Sequence, residues 1–112
     1  MTLLQAAVWN FLCERYAGLE NATPRATIIA RYNLLHAERK LSDRVFRQIV
    51  SDIVTVFKKN VCTTPGSGYF VARTLRERDE AINYLKSAGS KIFVRARALE
   101  EADPLERQER LF

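Results

Sequence analysis

Five polar side chains share one side of a predicted helix between residues 43 and 59. They are Arg44, Arg47, Gln48, Ser51 and Thr55. Arginine and glutamine can form bidentate hydrogen bonds with guanine and adenine edges, and serine and threonine can bond to bases or phosphates. This composition predicts contact with the major groove of duplex DNA. A solvated helix face would carry much the same residues.

Basic residues flank this polar side in the chain. Lys58, Lys59 and Arg73 are predicted to contact backbone phosphates, which position a protein on DNA without specifying sequence. The net charge is +5, and residues 42–73 hold five Lys/Arg against two Asp/Glu. One residue of the same helix side, Asp52, counts against deep insertion into a groove, because its charge repels phosphate.

The opposite side of this helix is apolar and predicts a core contact. Its members recur at three- and four-residue spacing: Val45, Phe46, Ile49, Val50, Ile53, Val54, Val56 and Phe57. Ser42 can cap the helix, and Asp43 in the first turn complements the helix dipole.

Two helices are predicted upstream of the polar side. The first spans residues 2–16, with Thr2 as its cap, and the second runs from Pro24 to about Glu38 after a Thr23-Pro24 start. The only histidine, His36, lies in the second helix without metal-ligand neighbours in sequence, so we expect it at the surface or in a cap.

A hairpin is predicted downstream. Residues 61–64 and 69–72 are β-prone and enclose the turn Pro65–Gly68. Two strands alone are marginally stable, so their inner side chains must pack on helices. The fold expected is mainly α with a two-stranded β wing, a winged helix-turn-helix domain over residues 1–73.

Residues 74–103 predict a long C-terminal helix, and residues 104–112 a polar tail. Thr74 and Glu77 fit a capping box. The apolar seam of this helix comprises Leu75, Ile82, Leu85, Ile92, Ala96 and Leu99. The seam either packs on the first helix of the same chain or joins two chains as a homodimer through residues 75–99. Gly89 either kinks the helix or admits another helix closely.

The sequence offers no feature of an enzyme or of a membrane protein. No apolar run approaches the ~20 residues of a membrane span, so no membrane partner is expected. A nucleophile–base pair, a phosphate-binding glycine loop and clustered metal ligands are all missing from the sequence, so we expect no catalysis, no metal and no cofactor. Cys13 and Cys62 are expected to be reduced, small apolar residues rather than a disulfide.

Several motifs resemble the small winged-helix proteins of bacteriophages and prophages. They are Leu41-Ser42-Asp43-Arg44, Phe46-Arg47 with Val50, Lys58-Lys59, Gly68-Tyr69-Phe70-Val71, Tyr84-Leu85-Lys86-Ser87 and Arg95-Ala96-Arg97-Ala98-Leu99. The likeness covers about residues 24–100. It implies double-stranded DNA as the partner, a role in phage replication or transcription regulation, and the cytoplasm of a bacterial host as the location.

The last five residues, Gln108-Glu109-Arg110-Leu111-Phe112, resemble the bacterial sliding-clamp-binding motif. The resemblance implies that Gln108 is a polar anchor and that Leu111 and Phe112 fill an apolar pocket of a protein partner. The tail alternatively folds back on the long helix. An alternative function is therefore a protein-interaction adaptor or host-takeover factor on the same scaffold.

Overall fold

The computed structural model describes residues 1–102 and divides into two compact units, Met1–Ala81 and a second unit that begins at Ile82. Its elements in chain order are α1 Leu3–Arg15, a short 3-10 helix Leu19–Asn21, α2 Arg25–Leu35, α3 Asp43–Thr55, β1 Val61–Thr64, β2 Gly68–Val71 and α4 Leu75–Glu101. The chain is thus mainly helical, with a two-stranded antiparallel hairpin and a long C-terminal helix. This winged-helix-like layout confirms the predicted fold class.

The start of α1 follows the sequence prediction. Thr2 and Gln5 form a reciprocal capping box, in which each side chain accepts a hydrogen bond from the other residue's backbone N–H. Val8, Phe11 and Leu12 of α1 are buried. The cap therefore fixes where the helix begins, and its apolar side joins the core of the first unit.

The segment between α1 and α2 lies along the hairpin. Thr23 and Tyr69 exchange backbone hydrogen bonds of 3.0 and 2.9 Å, and the Gly18 N–H donates to the Val71 carbonyl at 2.8 Å. A Thr23-Pro24 start, with Thr23 as the cap, is the sequence prediction for α2, but Pro24 occupies the cap position without a side-chain bond. The strand-like pairing with β2 satisfies the backbone of Thr23 instead.

Gly68 marks the point where this segment and the hairpin approach most closely. Its φ is +93°, and a Cβ there would collide with the Thr23 carbonyl oxygen. Glycine is therefore required for both conformation and space. At the hairpin tip, the Ser67 N–H bonds to the Thr64 carbonyl, and Gly66 has φ +77°. Pro65 followed by a positive-φ glycine is the sequence pattern of a type II turn.

Two helices are shorter than predicted. The second helix ends at Leu35 rather than at Glu38, and His36 then stacks on Tyr32 with 4.1 Å between ring centroids. The third ends at Thr55 rather than at residue 59, because Lys58 adopts a left-handed φ of 57° that a helix cannot continue.

The core of the first unit joins all three of its complete helices to the hairpin. Phe46, Ile49, Val50 and Ile53 of α3 pack against a cluster from the other elements. That cluster consists of Val8, Phe11, Leu12 and Tyr16, Ile28, Tyr32, Leu41, Val61 and Val71. Two positions assigned to the apolar side of α3, Val45 and Val56, are exposed because they flank the buried stripe.

The beginning of α4 belongs to the first unit. Ala81 is buried in a small cluster with Cys62, Phe70 and Ala72, which holds this part of the helix to the hairpin. The Glu77 N–H donates to the Thr74 hydroxyl as predicted. The second hydrogen bond of the capping box differs from the prediction. The Glu77 carboxylate accepts from the N–H groups of Arg73 and Leu19 rather than from the N–H of Thr74.

The part of α4 in the second unit is one unbroken helix through Gly89. The helix is therefore not interrupted at this glycine. The large seam side chains are exposed, among them Leu85 at 58%, Ile92 at 65% and Leu99 at 70%. Within residues 1–102, no helix combines the length and the apolar composition that crossing a membrane requires.

Candidate nucleic-acid interface

The position of α3 is set by side-chain bonds at its first turn. The Val45 N–H donates to the Ser42 hydroxyl at 3.1 Å. Before it, the side-chain amide of Asn33 bonds to both the N–H and the carbonyl of Leu41, at 2.6 and 3.0 Å. These bonds tie the turn before α3 to α2, so the two helices of the helix-turn-helix are locked together at this point.

The five polar residues predicted from the sequence all lie on the exposed side of α3: Arg44, Arg47, Gln48, Ser51 and Thr55. The core-facing stripe of Phe46, Ile49, Val50 and Ile53 occupies the other side. Because α3 is anchored by buried side chains, its polar side is held on a rigid element. A rigid exposed helix face is the geometry used for base-edge contacts in the major groove.

Two arginines share one carboxylate at the beginning of this face. Asp43 accepts from Arg25 at 2.5 Å and from Arg47 at 3.0 Å, and all three side chains are about half exposed. Hydrogen bonds with Tyr69 and then with Asp43 raise the pKa of Arg25 above its ordinary value. Arg25 and Tyr69 join the site only through tertiary packing, since no spacing in the sequence relates them to α3.

The middle of the face contains a glutamine–aspartate pair. The Gln48 side-chain nitrogen donates to the Asp52 carboxylate at 3.1 Å. Asp52 is half-buried, whereas Gln48 and Ser51 are exposed. Asp52 therefore lies at the edge of the face and orients the Gln48 amide, which keeps a second N–H donor and its oxygen acceptor. The Thr55 hydroxyl bonds back to the Ser51 carbonyl at 2.7 Å.

The predicted phosphate contacts do not all lie together. Lys58 and Arg73 line one surface cavity of about 370 Å³, and Arg78 joins them there. Lys59 points elsewhere, with its ammonium 5.7 Å from the ring centroid of Trp9. Arg78 was not predicted as a phosphate contact. It lies about one helical turn after Thr74, so it is on the same side of the helix as the residues at its start.

The basic cavity has the chemistry of an anion site. Three cationic side chains line it, and Thr74 and Leu75 place the beginning of α4 in its wall. Each cation has a local partner: Lys58 bonds to the Thr55 carbonyl, Arg73 pairs with Glu20, and Arg78 pairs with Asp79. Because these side chains are exposed, phosphate oxygens can compete with such weak surface pairs.

A second cavity of about 560 Å³ lies at the beginning of α1 and the end of α2. Tyr32 and His36 form part of its wall, and burial raises the pKa of the tyrosine hydroxyl.

Among residues 1–102, no three His, Cys, Asp or Glu side chains converge as a metal site would need. Both cysteines are free thiols, and burial raises the pKa of each.

The residues of the predicted protein-binding tail, Gln108, Leu111 and Phe112, lie outside the described residues. Comparisons of the chain with protein-family models, with curated proteins and with solved structures find no match.

Proposed function

We propose that the protein binds double-stranded DNA through α3 and does not catalyse a reaction. The observation that carries the proposal is the polar side of α3, whose five polar residues are exposed while the opposite side anchors the helix in the core. The winged-helix-like arrangement supports it, because this layout leaves one helix free to enter a groove. The resemblance to phage proteins favours a role in phage replication or transcription regulation in the bacterial cytoplasm.

In this proposal, Arg44 and Gln48 contact base edges. Both are exposed, four residues apart and on one stripe with Ser51 and Thr55. Arg44 is exposed and forms no ion pair within residues 1–102, so its guanidinium does not have to leave a carboxylate in order to bind. Arg47 is held by Asp43, and it exchanges that carboxylate for a phosphate or a base on binding.

The DNA backbone is held by the cations around the basic cavity. Lys58, Arg73 and Arg78 are positioned there to bond to one or two phosphates. Each phosphate that they neutralise releases counterions, so binding must weaken as salt concentration rises. The turn of the hairpin carries no charge, and we assign it no contact with the DNA.

The proposal is tested by fluorescence anisotropy with two labelled duplexes, one of random sequence and one selected from a random library by the protein. The Arg44→Lys variant keeps the charge but loses the bidentate fork. We expect it to bind random duplex within about twofold of the parent. Its affinity for the selected duplex should fall about tenfold or more, since a bidentate pair contributes ~1–3 kcal/mol of discrimination.

Lys58→Ala tests the backbone contact separately. We expect weaker binding to both duplexes and a salt slope reduced by about one unit, as loss of one phosphate contact predicts. Arg97→Ala is the matched control, because Arg97 is also exposed and cationic but lies in the second unit. Equal losses for Arg97→Ala and Lys58→Ala would show general charge attraction rather than a site. Failure of the parent protein to bind either duplex would favour the protein-adaptor alternative.

A further inference from the structure

The second unit presents an apolar seam that is exposed along its whole described length. The seam residues recur at alternating three- and four-residue spacing, which is the heptad pattern of helices that pack along each other: Ile82, Leu85, Gly89, Ile92, Ala96 and Leu99. All six are exposed. A continuous apolar stripe of this kind on a solvated helix indicates a missing partner.

Gly89 lies in the middle of the seam, inside a regular helix. Among residues 1–102, no atom lies within 4 Å of the position that a Cβ would take there. Glycine weakens an exposed helix relative to alanine. A glycine at this position is useful where the backbone of a second helix approaches closely. This feature favours a helix as the partner over a lipid surface, which gains nothing from a missing side chain.

We infer that the partner is a second copy of this chain, and that residues 82–99 of the two copies pack antiparallel about a two-fold axis near residues 90 and 91. In this register, Ile82 lies opposite Leu99 of the second copy. Leu85 lies opposite Ala96, and Gly89 lies opposite Ile92. Each of the two inner layers then joins a large residue to a small one, which fills the interface evenly.

A parallel arrangement fits these residues less well. It places Gly89 against Gly89 and Ala96 against Ala96, so two layers are left underfilled. It does bring Arg95 near Glu100 of the second copy, but such exposed ion pairs contribute little. Side-chain volume therefore favours the antiparallel arrangement over the parallel one.

The charges beside the seam are compatible with the antiparallel pair. Residues 82–99 contain four cations and no acidic residue. Lys86 and Arg95 flank the seam. In the antiparallel register, Lys86 lies beside the Phe93 ring of the second copy and Arg95 lies beside Ala88. No two cations face each other across the interface, and the lysine–phenylalanine contact has cation–π character.

Sedimentation equilibrium of the full chain over about 1–200 μM tests for the dimer. We expect concentration-dependent dimers for the parent and monomers for Ile92→Asp. Gly89→Leu distinguishes the arrangements, because it collides with Ile92 in the antiparallel pair but fills the gap of a parallel pair. We expect Gly89→Leu to weaken dimerisation at least tenfold, and tighter dimers would overturn the antiparallel arrangement.

Cross-linking gives an independent readout of direction, in a background with Cys13→Ala and Cys62→Ala. We expect an oxidised mixture of Leu85→Cys and Ala96→Cys chains to form the mixed disulfide dimer. The Leu85→Cys chain alone should not cross-link, whereas a parallel pair would join its two thiols. Normal folding of each variant is checked by circular dichroism.

Three outcomes overturn the inference. The first is a parent that stays monomeric at 200 μM while its seam is protected from hydrogen exchange, which would show burial on α1 of the same chain. The second is a monomer with an unprotected seam that sediments with anionic phospholipid vesicles, which would identify a lipid surface. The third is a parent that stays monomeric, whose seam is unprotected and which does not sediment with the vesicles. The inference does not depend on DNA binding, since every measurement is made without DNA.

Discussion

The helix α3 and the second-unit part of α4 have similar apolar spacing but opposite surroundings. In α3, Phe46 and Ile53 are fully buried because α1, α2 and the hairpin cover that side. In α4, Ile92 and Leu99 stand 65% and 70% exposed. The apolar spacing of both segments predicts that one side of each helix is buried. Only the folded chain shows that the apolar side of α3 is covered within the first unit and that the apolar side of α4 stays exposed.

Substitution of one isoleucine in each helix tests this contrast most strongly. We expect Ile53→Ala to lower the free energy of unfolding of the first unit by about 2–5 kcal/mol, because it leaves a cavity in the core. Ile92→Ala should change it by less than about 0.5 kcal/mol, as exposed sites do. Urea denaturation followed by Trp9 fluorescence measures both, since Trp9 lies in the first unit and packs against its core.

Ile53→Val is the milder variant if Ile53→Ala does not fold, with an expected loss of about 0.5–1.5 kcal/mol. Equal effects at positions 53 and 92 would contradict the contrast, because they would mean that Ile92 is buried in the same cooperative unit.

Two glycines provide the next largest difference. Gly68→Ala should lower the free energy of unfolding by at least about 1–3 kcal/mol, since alanine is strained at φ +93° and its Cβ meets the Thr23 carbonyl. In the monomer, Gly89→Ala should instead raise the helix content of the second unit, with a gain of about 1 kcal/mol from helix propensity. Urea denaturation and circular dichroism at 222 nm measure the two effects. A stabilising Gly68→Ala would show that β2 is not held against Thr23.

Two glutamates give the smallest expected difference, and it depends on pH. Hydrogen bonds from the N–H groups of Leu19 and then Arg73 lower the pKa of Glu77 below its ordinary value of 4.5. Because the pKa is lower in the folded chain, the Glu77 carboxylate stabilises the fold above pH 4.5. That contribution is lost as the pH falls through the folded-state pKa.

Glu77→Gln should therefore reduce the urea midpoint of the first unit at pH 7, and the difference from the parent should shrink as the pH approaches 3. Glu100→Gln is the matched control near the C-terminal end of α4, where a negative charge is unfavourable to the helix dipole. We expect no loss of stability for this control at either pH. A difference for Glu77→Gln that persists unchanged at pH 3 would mean that its charge is not the cause.

Most elements of the fold could be predicted from local sequence. Capping side chains such as Thr2 and Ser42 specify helix starts, and Pro65-Gly66 specifies the hairpin turn. Helix ends were predicted less well. The third helix stops before Lys58 although the apolar spacing continues, because periodicity reports which residues seek the core and not where the backbone leaves the helix.

The sequence likewise predicted only part of the candidate site, because periodicity describes one helix at a time. The exposed stripe of α3 follows from spacing alone, since its five polar residues recur on one side of a single helix. The basic cavity does not, because Lys58 and Arg78 are twenty residues apart and meet only after the hairpin folds back. Arg25 likewise reaches Asp43 from another helix.

The sequence by itself determined the elements, their apolar sides and the polar side of α3, because these depend on periods of a few residues. Tertiary structure decided which cations share a cavity and why Gly68 must be glycine, since both depend on segments distant in the chain. The end of α3 follows from the left-handed backbone at Lys58, which the apolar spacing does not report. For α4, the sequence determined the seam of residues 82–99, while the fold left that seam exposed. Whether one side of a helix is buried depends on the elements that pack around it, so a local sequence pattern alone does not determine it.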